Sequence, residues 1–473
     1  MEVRLPDGMP DIGHVLGAWG QVIVRGKEWN GDSMCVSCGV MVWVLYSPED
    51  GSGVRSVEAW LPLSMKWQLP QSNEEGKILF SCLLREVDAR SISARKLMVR
   101  ATLGAVGEGW LPENTLIAVP DELPGDISVL SNSYPVLLSR ETGEKPFLLE
   151  DTRSVPASNP KPEKLLYYSL QPEIIEEKVM AGKVVFRGTG IVHVLYKGEA
   201  GRLCAWDWEL PFSQYAELEG EYEGEPSVSV LPCVTSLDIS LDENGDFQLK
   251  AGILGQFMLQ ECTVATVVED AYSPYGKVQP VFEQLQIPAV LDRKNHVVHV
   301  DAVSQTEAYQ IVDATFYPEY VQAETVEDGI VLPLRGHFQM LYYGEDGEIC
   351  SNITKWDGQL PLHAEPDCAI DAWITPVGKA LAVQGAGAIT LRADANISAK
   401  FTSRKGITMV TGLEMEEERK PDRNRPSLIL CKKEDRSLWN LAKETGSTVE
   451  AIIEANGIEG EPNCDSVLLV PVL

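Results

Sequence analysis

Positive charge is scarce in this chain of 473 residues. Forty Lys and Arg stand against 70 Asp and Glu, a formal net charge of −30. Phosphates and anionic membrane surfaces both demand a basic face, so this balance argues against nucleic acid and lipid as partners. Acidity of this kind serves solubility, and a basic protein partner is the sharper alternative. Histidine is also sparse, at six residues, which leaves little general-base material beyond Asp and Glu. No apolar run is long enough for a signal-peptide core or a transmembrane segment, and the polar opening Met1-Glu-Val-Arg-Leu-Pro is expected to carry no secretory signal. No Gly-Lys pair, Gly182-Lys183 included, is followed by Ser or Thr, so there is no P-loop. Gly-x-Ser-x-Gly and His-Glu-x-x-His are missing too. The ten cysteines are scattered and read as reduced, packed thiols, not as a disulfide framework.

Several local patterns imitate sites. Cys35-Val-Ser-Cys38 lacks the second pair of a tetrahedral zinc site, and residues three apart on a strand face opposite sides. His296-Val-Val-His299 meets the same objection. Asp242-Glu-Asn-Gly-Asp246 lacks the sixth-position Gly and distal Glu of a calcium loop, and Asn244-Gly245 reads as a hairpin turn. The stretch Glu217-Leu-Glu-Gly-Glu-Tyr-Glu-Gly-Glu225 reads as a solvated connector, with an acidic docking loop as the alternative. No catalytic residue, cofactor or metal is expected.

What is present is an internal repeat. Gly190-Ile-Val-His-Val-Leu-Tyr196 is followed by a Gly-rich turn and Trp206-Asp-Trp-Glu-Leu-Pro-Phe-Ser213. Gly336-His-Phe-Gln-Met-Leu-Tyr342 is followed by a similar turn and Lys355-Trp-Asp-Gly-Gln-Leu-Pro-Leu-His363. A diverged third version pairs Met41-Val-Trp-Val-Leu-Tyr46 with Val57-Glu-Ala-Trp-Leu-Pro-Leu-Ser64. Each is a β-branched and aromatic run, a turn, and a second run containing Leu-Pro, which is the pattern of a hairpin. Trp60, Trp206, Trp208 and Trp356 recur beside the Leu-Pro, which favours core packing over ligand contact. The expected fold is therefore mostly β: three tandem, sandwich-like repeats at 1–112, 165–285 and 286–412. A proline-rich connector with a few strand-like pieces, Ile127 to Leu130 and Val136 to Leu138, is expected at 113–164, and a charged linker at 413–427.

From 428 to 473 the pattern becomes βααβ. Leu428-Ile-Leu-Cys431 is a short strand. Ser437-Leu-Trp-Asn-Leu-Ala-Lys-Glu-Thr445 places Leu438, Leu441 and Ala442 on one helical face, and Gly446 ends it. Ser447-Thr-Val-Glu450 has the form of a capping box, and Val467-Leu-Leu-Val-Pro471 closes the module.

Leu438-Trp-Asn-Leu-Ala442, Val449…Ile452…Ala455-Asn-Gly-Ile458 and Leu469-Val-Pro471 resemble a LysM domain. The turn Lys432-Lys-Glu-Asp-Arg and the run Asn463-Cys-Asp-Ser-Val depart from that family's sugar-groove loops. Repeats with Leu-Tyr…Leu-Pro-Phe-Ser, the stretch Lys178 to Gln214 and Val267-Val-Glu-Asp-Ala-Tyr-Ser-Pro274 resemble the SPOCS-domain (SipL-like) family of endospore-forming bacteria. That resemblance implies a non-enzymatic spore-coat scaffold in the mother-cell cytoplasm at the forespore surface. The implied partner is the coat ATPase SpoIVA, bound through the LysM module, with other coat proteins as further partners. Ile429, Leu438, Trp439, Asn456 and Ile458 are the partner-binding candidates it implies. Peptidoglycan or N-acetylglucosamine binding through LysM is the alternative.

Overall fold

The computed structural model describes residues 1–69, 77–110, 126–222, 226–286, 289–319, 322–326, 329–363, 368–385, 387–403, 406–418 and 426–473. Most of the described backbone is strand. The reason shows in β9: Val184, Phe186, Val192 and Val194 are buried at every second position, so one face is apolar throughout.

The strands fall into three units with one shared order. Unit 1 holds β1 (Glu2–Arg4), β2 (Ile12–Asn30), β3 (Ser33–Pro48), β4 (Arg55–Gln68), β5 (Lys77–Ser93) and β6 (Lys96–Trp110). Its sheets are the meander β2-β3-β4 and the sheet β1-β6-β5. Unit 2 holds β7 (Ser128–Arg153), β8 (Pro162–Met180), β9 (Lys183–Gly198), β10 (Leu203–Glu217), β11 (Ser227–Leu241) and β12 (Phe247–Tyr272). These form β8-β9-β10 and β7-β12-β11. After β13 (Gly276–Gln286), unit 3 holds β14 (Ala289–Ser304), β15 (Gln310–Glu319), the short β16 (Glu324–Val326), β17 (Gly329–Tyr343), β18 (Ile349–Leu362), β19 (Cys368–Gln384) and β20 (Ile389–Ser403). Its sheets are β15-β17-β18, with β16 added to β17, and β14-β20-β19. In every unit the second to fourth main strands make one sheet, and the first, sixth and fifth make the other.

Two boundaries differ from the expectation. Residues 113–125 of the expected connector lie outside the described residues, and the rest of that range is more than a connector: its strand-like pieces belong to one long strand, the first of unit 2. β7 pairs with β12 from Ser128↔Tyr272 to Arg153↔Phe247. Its Pro135 and Pro146 are tolerated because β7 is the edge strand of its sheet and needs ladder donors on one side only. The linker range is also shortened. β21 (Gly406–Glu418) runs into it and pairs with β13, while 419–425 lie outside the described residues.

The three units close a ring whose contacts repeat with approximate threefold symmetry. Leu45, Leu195 and Leu341 face Gly17, Tyr167 and Asp313 across their own ladders, so these are equivalent positions. Two residues before each Leu stand Trp43, His193 and Gln339, and each meets the next unit. Trp43 packs edge-on against Tyr167 at 5.3 Å between ring centroids. His193 Nε2 lies 3.2 Å from Asp313 Oδ2. Gln339 fills the space beside Gly17, where an added Cβ would sit 2.7 Å from its Nε2. Ser56, opposite Leu45, donates to the Leu166 carbonyl at 2.5 Å, and Ser351, opposite Leu341, donates to the Leu16 carbonyl. One apolar core, including Trp19, Trp43, Leu45, Tyr167, Leu195 and Leu341, draws on all three units.

The C-terminal module contains β22 (Leu428–Lys432), α1 (Leu438–Thr445), α2 (Val449–Asn456) and β23 (Val467–Pro471). Ser437 and Thr448 cap the helices by accepting from Asn440 N and Ala451 N. Gly446 and Gly457 end them at φ of 68° and 59°, in the left-handed region glycine tolerates.

Candidate functional site

Among the described residues polar side chains gather at several contacts, and two of these bear on function. The first is the seam between units 2 and 3. His193 Nδ1 lies 2.6 Å from Asp207 Oδ1, and Lys379 pairs with the other oxygen of Asp207. Asp313 is buried on the opposite side of the ring. Burial by itself would lower the His193 pKa, but the Asp313 charge and the hydrogen bond to Asp207 outweigh it and hold the imidazolium at about 10. Burial pushes Asp207 up, yet the hydrogen bond and charge of His193, with Lys379, bring it down to about 2. The Nε2–Asp313 approach has ion-pair distance without the alignment of a good hydrogen bond. Around the cluster, Gln171 donates to the Pro376 carbonyl at 2.6 Å and Gly378 N donates to Glu173 at 2.8 Å. A histidine held protonated at neutral pH is no general base, so this arrangement joins units.

The second is where the C-terminal module meets the body. Trp439 donates its indole N–H to Asp270 Oδ2 at 2.8 Å, and Lys443 Nζ lies 2.7 Å from both oxygens of Asp270. The Tyr272 hydroxyl donates to the Ser447 carbonyl at 2.9 Å, and its ring stands edge-on to Trp439 at 4.8 Å. Leu130 of β7 joins the same apolar cluster. Burial pushes the Tyr272 phenol up to about 12, so it remains a donor.

Of the five expected partner-binding residues, Leu438 and Trp439 are buried, while Ile429, Asn456 and Ile458 are half-buried. Leu438 is 3% exposed and Trp439 is 9% exposed, the latter against β12. Ile429 and Ile458 pack on the module core. Asn456 Nδ2 donates to the carbonyls of Ile452 (2.8 Å) and Leu469 (2.6 Å), and its Oδ1 accepts from Leu469 N at 2.8 Å. The motif residues of so small a module also build its core, which leaves Leu438 and Trp439 little free surface. The most exposed large apolar residues of the module are Leu428, Leu430 and Val467, with Leu473 also exposed. Asp270 and Tyr272 lie in the stretch 267–274 noted in the sequence, but no spacing signal links them to a tryptophan 169 residues away.

The other sequence patterns resolve simply. Asp242 Oδ1 accepts from Asn244 N and Asp246 N at 2.8 and 2.9 Å, and Gly245 has φ of 86°, so the segment is a turn. Trp206 stacks on Trp208 at 4.8 Å, and Trp356 packs on Phe316, as core positions. Trp60 carries the Arg25 guanidinium 4.1 Å from its ring centre. Cys35 and Cys38 are free thiols, and Cys38 packs with Cys82 and Cys233. His296 and His299 face opposite sides, His299 pairing with Asp394 at 2.6 Å. Glu219 N and Gly220 N in the acidic stretch donate to Glu141. A cleft of about 700 Å³ between units 1 and 2 has Phe257 and Lys27 among its lining residues, with Lys27 paired to Glu144 at 2.7 Å. Among the described residues no cluster of three His, Cys, Asp or Glu is arranged to hold a metal, and no helix is long and apolar enough to cross a membrane.

The strands that carry the second repeat are also the ones that comparison with known proteins picks out. Residues 161–242, spanning β8 to β11, match the family model described as the SPOCS domain. The particular family is SipL, so the chain is SipL-like in this segment and the match supports a sporulation-related protein. No curated protein and no solved structure matches the chain.

Proposed function

We propose that this protein is a non-enzymatic sporulation scaffold that helps tether the basement layer of the spore coat to the forespore. Its place is the mother-cell cytoplasm, at the forespore surface. The C-terminal module acts as a LysM domain turned to protein recognition and contacts the coat ATPase SpoIVA. The observation that carries this reading is the SipL SPOCS match over β8–β11. The ion-paired seam is in keeping with it, since His193, Asp207 and Lys379 are spent on pairing with one another and on joining units 2 and 3.

The test is a pull-down with the full chain and with a chain ending at Arg425, each offered SpoIVA from the same organism and, separately, insoluble peptidoglycan. Retention of SpoIVA by the full chain alone supports the reading. Retention by both moves the contact to the β units. Retention by neither defeats the tether, and binding to peptidoglycan alone favours a sugar-binding role.

A further inference from the structure

The module has two sides, and only one is covered by the body. α1 faces Asp270 and Tyr272, while the two-stranded ribbon β22–β23 turns its outer face to solvent. The register sets Leu428 opposite Pro471, Leu430 opposite Leu469 and Lys432 opposite Val467. Because side chains alternate, these six share the outer face, while Ile429, Cys431, Leu468 and Val470 point to the core. Leu428, Leu430 and Val467 are 51%, 71% and 62% exposed, a density of bare aliphatic surface that a small module does not need for folding.

Charge narrows what can cover it. Residues 428–473 carry 4 Lys and Arg against 8 Asp and Glu, a net of 4 − 8 = −4. At the Lys432 end of the ribbon Asp465 and Glu434 stay 96% and 65% exposed although Asp465 pairs with Lys432 at 3.1 Å and Glu434 lies 3.9 Å from Arg436, and exposed pairs of this kind exchange partners at little cost. A second copy would bring two chains of −30 together, which like-charge repulsion opposes. We propose that the outer face of β22–β23, centred on Leu430 and Val467, docks an extended apolar segment flanked by Lys or Arg on another protein. This deepens the partner-binding role proposed for the module and rests on it.

The test uses the full chain and three synthetic peptides of about eight residues: alternating Lys and Val, alternating Lys and Ser, and alternating Glu and Val. Affinities are read by fluorescence anisotropy at physiological salt. The Lys/Val peptide is expected to bind at least about tenfold tighter than either of the others. The double variant Leu430→Ser, Val467→Ser keeps every charge and is expected to lose that tenfold while its thermal unfolding stays put. Equal binding of Lys/Val and Lys/Ser, or an unaffected double variant, would reduce the effect to bulk charge and overturn the proposal. So would no binding at all, or equal binding of Glu/Val. A dimer in sedimentation that the double variant abolishes would name a second copy as the occupant and overturn it too. If the Lys/Val peptide behaves as expected while SpoIVA is not retained, the docking face stands and the named partner falls.

Discussion

The indole N–H of Trp439 and the carboxylate of Asp270 meet at 2.8 Å and join the C-terminal module to the far end of β12. Trp439 is 9% exposed and the Asp270 side chain 17%, so this charged hydrogen bond lies largely out of water. Such bonds contribute about 1.5–3 kcal/mol. Lys443 is 38% exposed, and its ion pair with the same Asp is discounted to under about 1 kcal/mol. Trp439→Phe is therefore expected to loosen the docked module more than Lys443→Gln does. Hydrogen exchange of the α1 amides reads this directly, and the reverse ranking would show that charge outweighs the buried bond.

The seam cluster should make stability depend on pH in a definite direction. The His193 pKa rises from 6.5 to about 10 on folding, so its contribution is complete below about 6.5 and disappears as pH climbs through about 10. The Asp207 pKa falls from 3.8 to about 2, so its contribution is complete above about 3.8 and is lost as pH drops through about 2. His193→Gln strands the buried Asp313 without its cation and is expected to cost about 3 kcal/mol at pH 5.5. Urea unfolding of wild type and variant should show that gap narrowing toward pH 10. A gap of equal size at both pH values would mean that protonated His193 is not its source.

At the seam between units 3 and 1 the limiting quantity is space. A Cβ at Gly17 would stand 2.7 Å from Gln339 Nε2 and 3.0 Å from the Trp19 ring, and both neighbours are buried. Gly17→Ala should overpack the centre of the ring and cost about 1–3 kcal/mol. Ser56→Ala at the next seam removes one hydrogen bond to the Leu166 carbonyl and should cost about 1 kcal/mol. Thermal unfolding of the two variants orders them; a Gly17→Ala protein as stable as wild type would show that Gln339 can yield.

The module core and its outer face should separate in mutagenesis. Leu438→Ala opens a cavity beside Leu441 and Ile452 and should cost about 2–5 kcal/mol, so any binding it loses comes with lost helix signal. Asn456→Ala frees the carbonyls of Ile452 and Leu469 and the Leu469 amide, and is expected to behave in the same way. Circular dichroism beside the binding assay makes the distinction, and an intact helix signal with binding gone would return these residues to the interface.

The repeat and the class of fold were legible because strand alternation and the Leu-Tyr…Leu-Pro signature are local. Turns such as Asn244-Gly245 were legible for the same reason. β7 was legible only in pieces, Ile127 to Leu130 and Val136 to Leu138: its prolines read as connector, and the edge position of the strand in its sheet explains their tolerance. The module's secondary structure could be read from its caps and helical faces, but not which motif residues remain uncovered. That depends on Asp270 and Tyr272, which arrive through tertiary contact. The seam cluster was invisible because His193, Asp207, Asp313 and Lys379 come from four strands of two units, and no sequence interval encodes their meeting.

Ring closure has a consequence for synthesis on the ribosome. Leu16 and Gly17 are made among the first residues, yet their partners Ser351 and Gln339 emerge more than three hundred residues later. Arg85 likewise waits for Glu319, and Glu108 for Lys400. Until then the nascent chain carries two units with an unsatisfied flank at either end. Contacts this distant in sequence make closure slow, and the interval is one in which aggregation competes. The last unit to be translated is thus the keystone, and a chain stalled before residue 339 would leave the ribosome as an open arch.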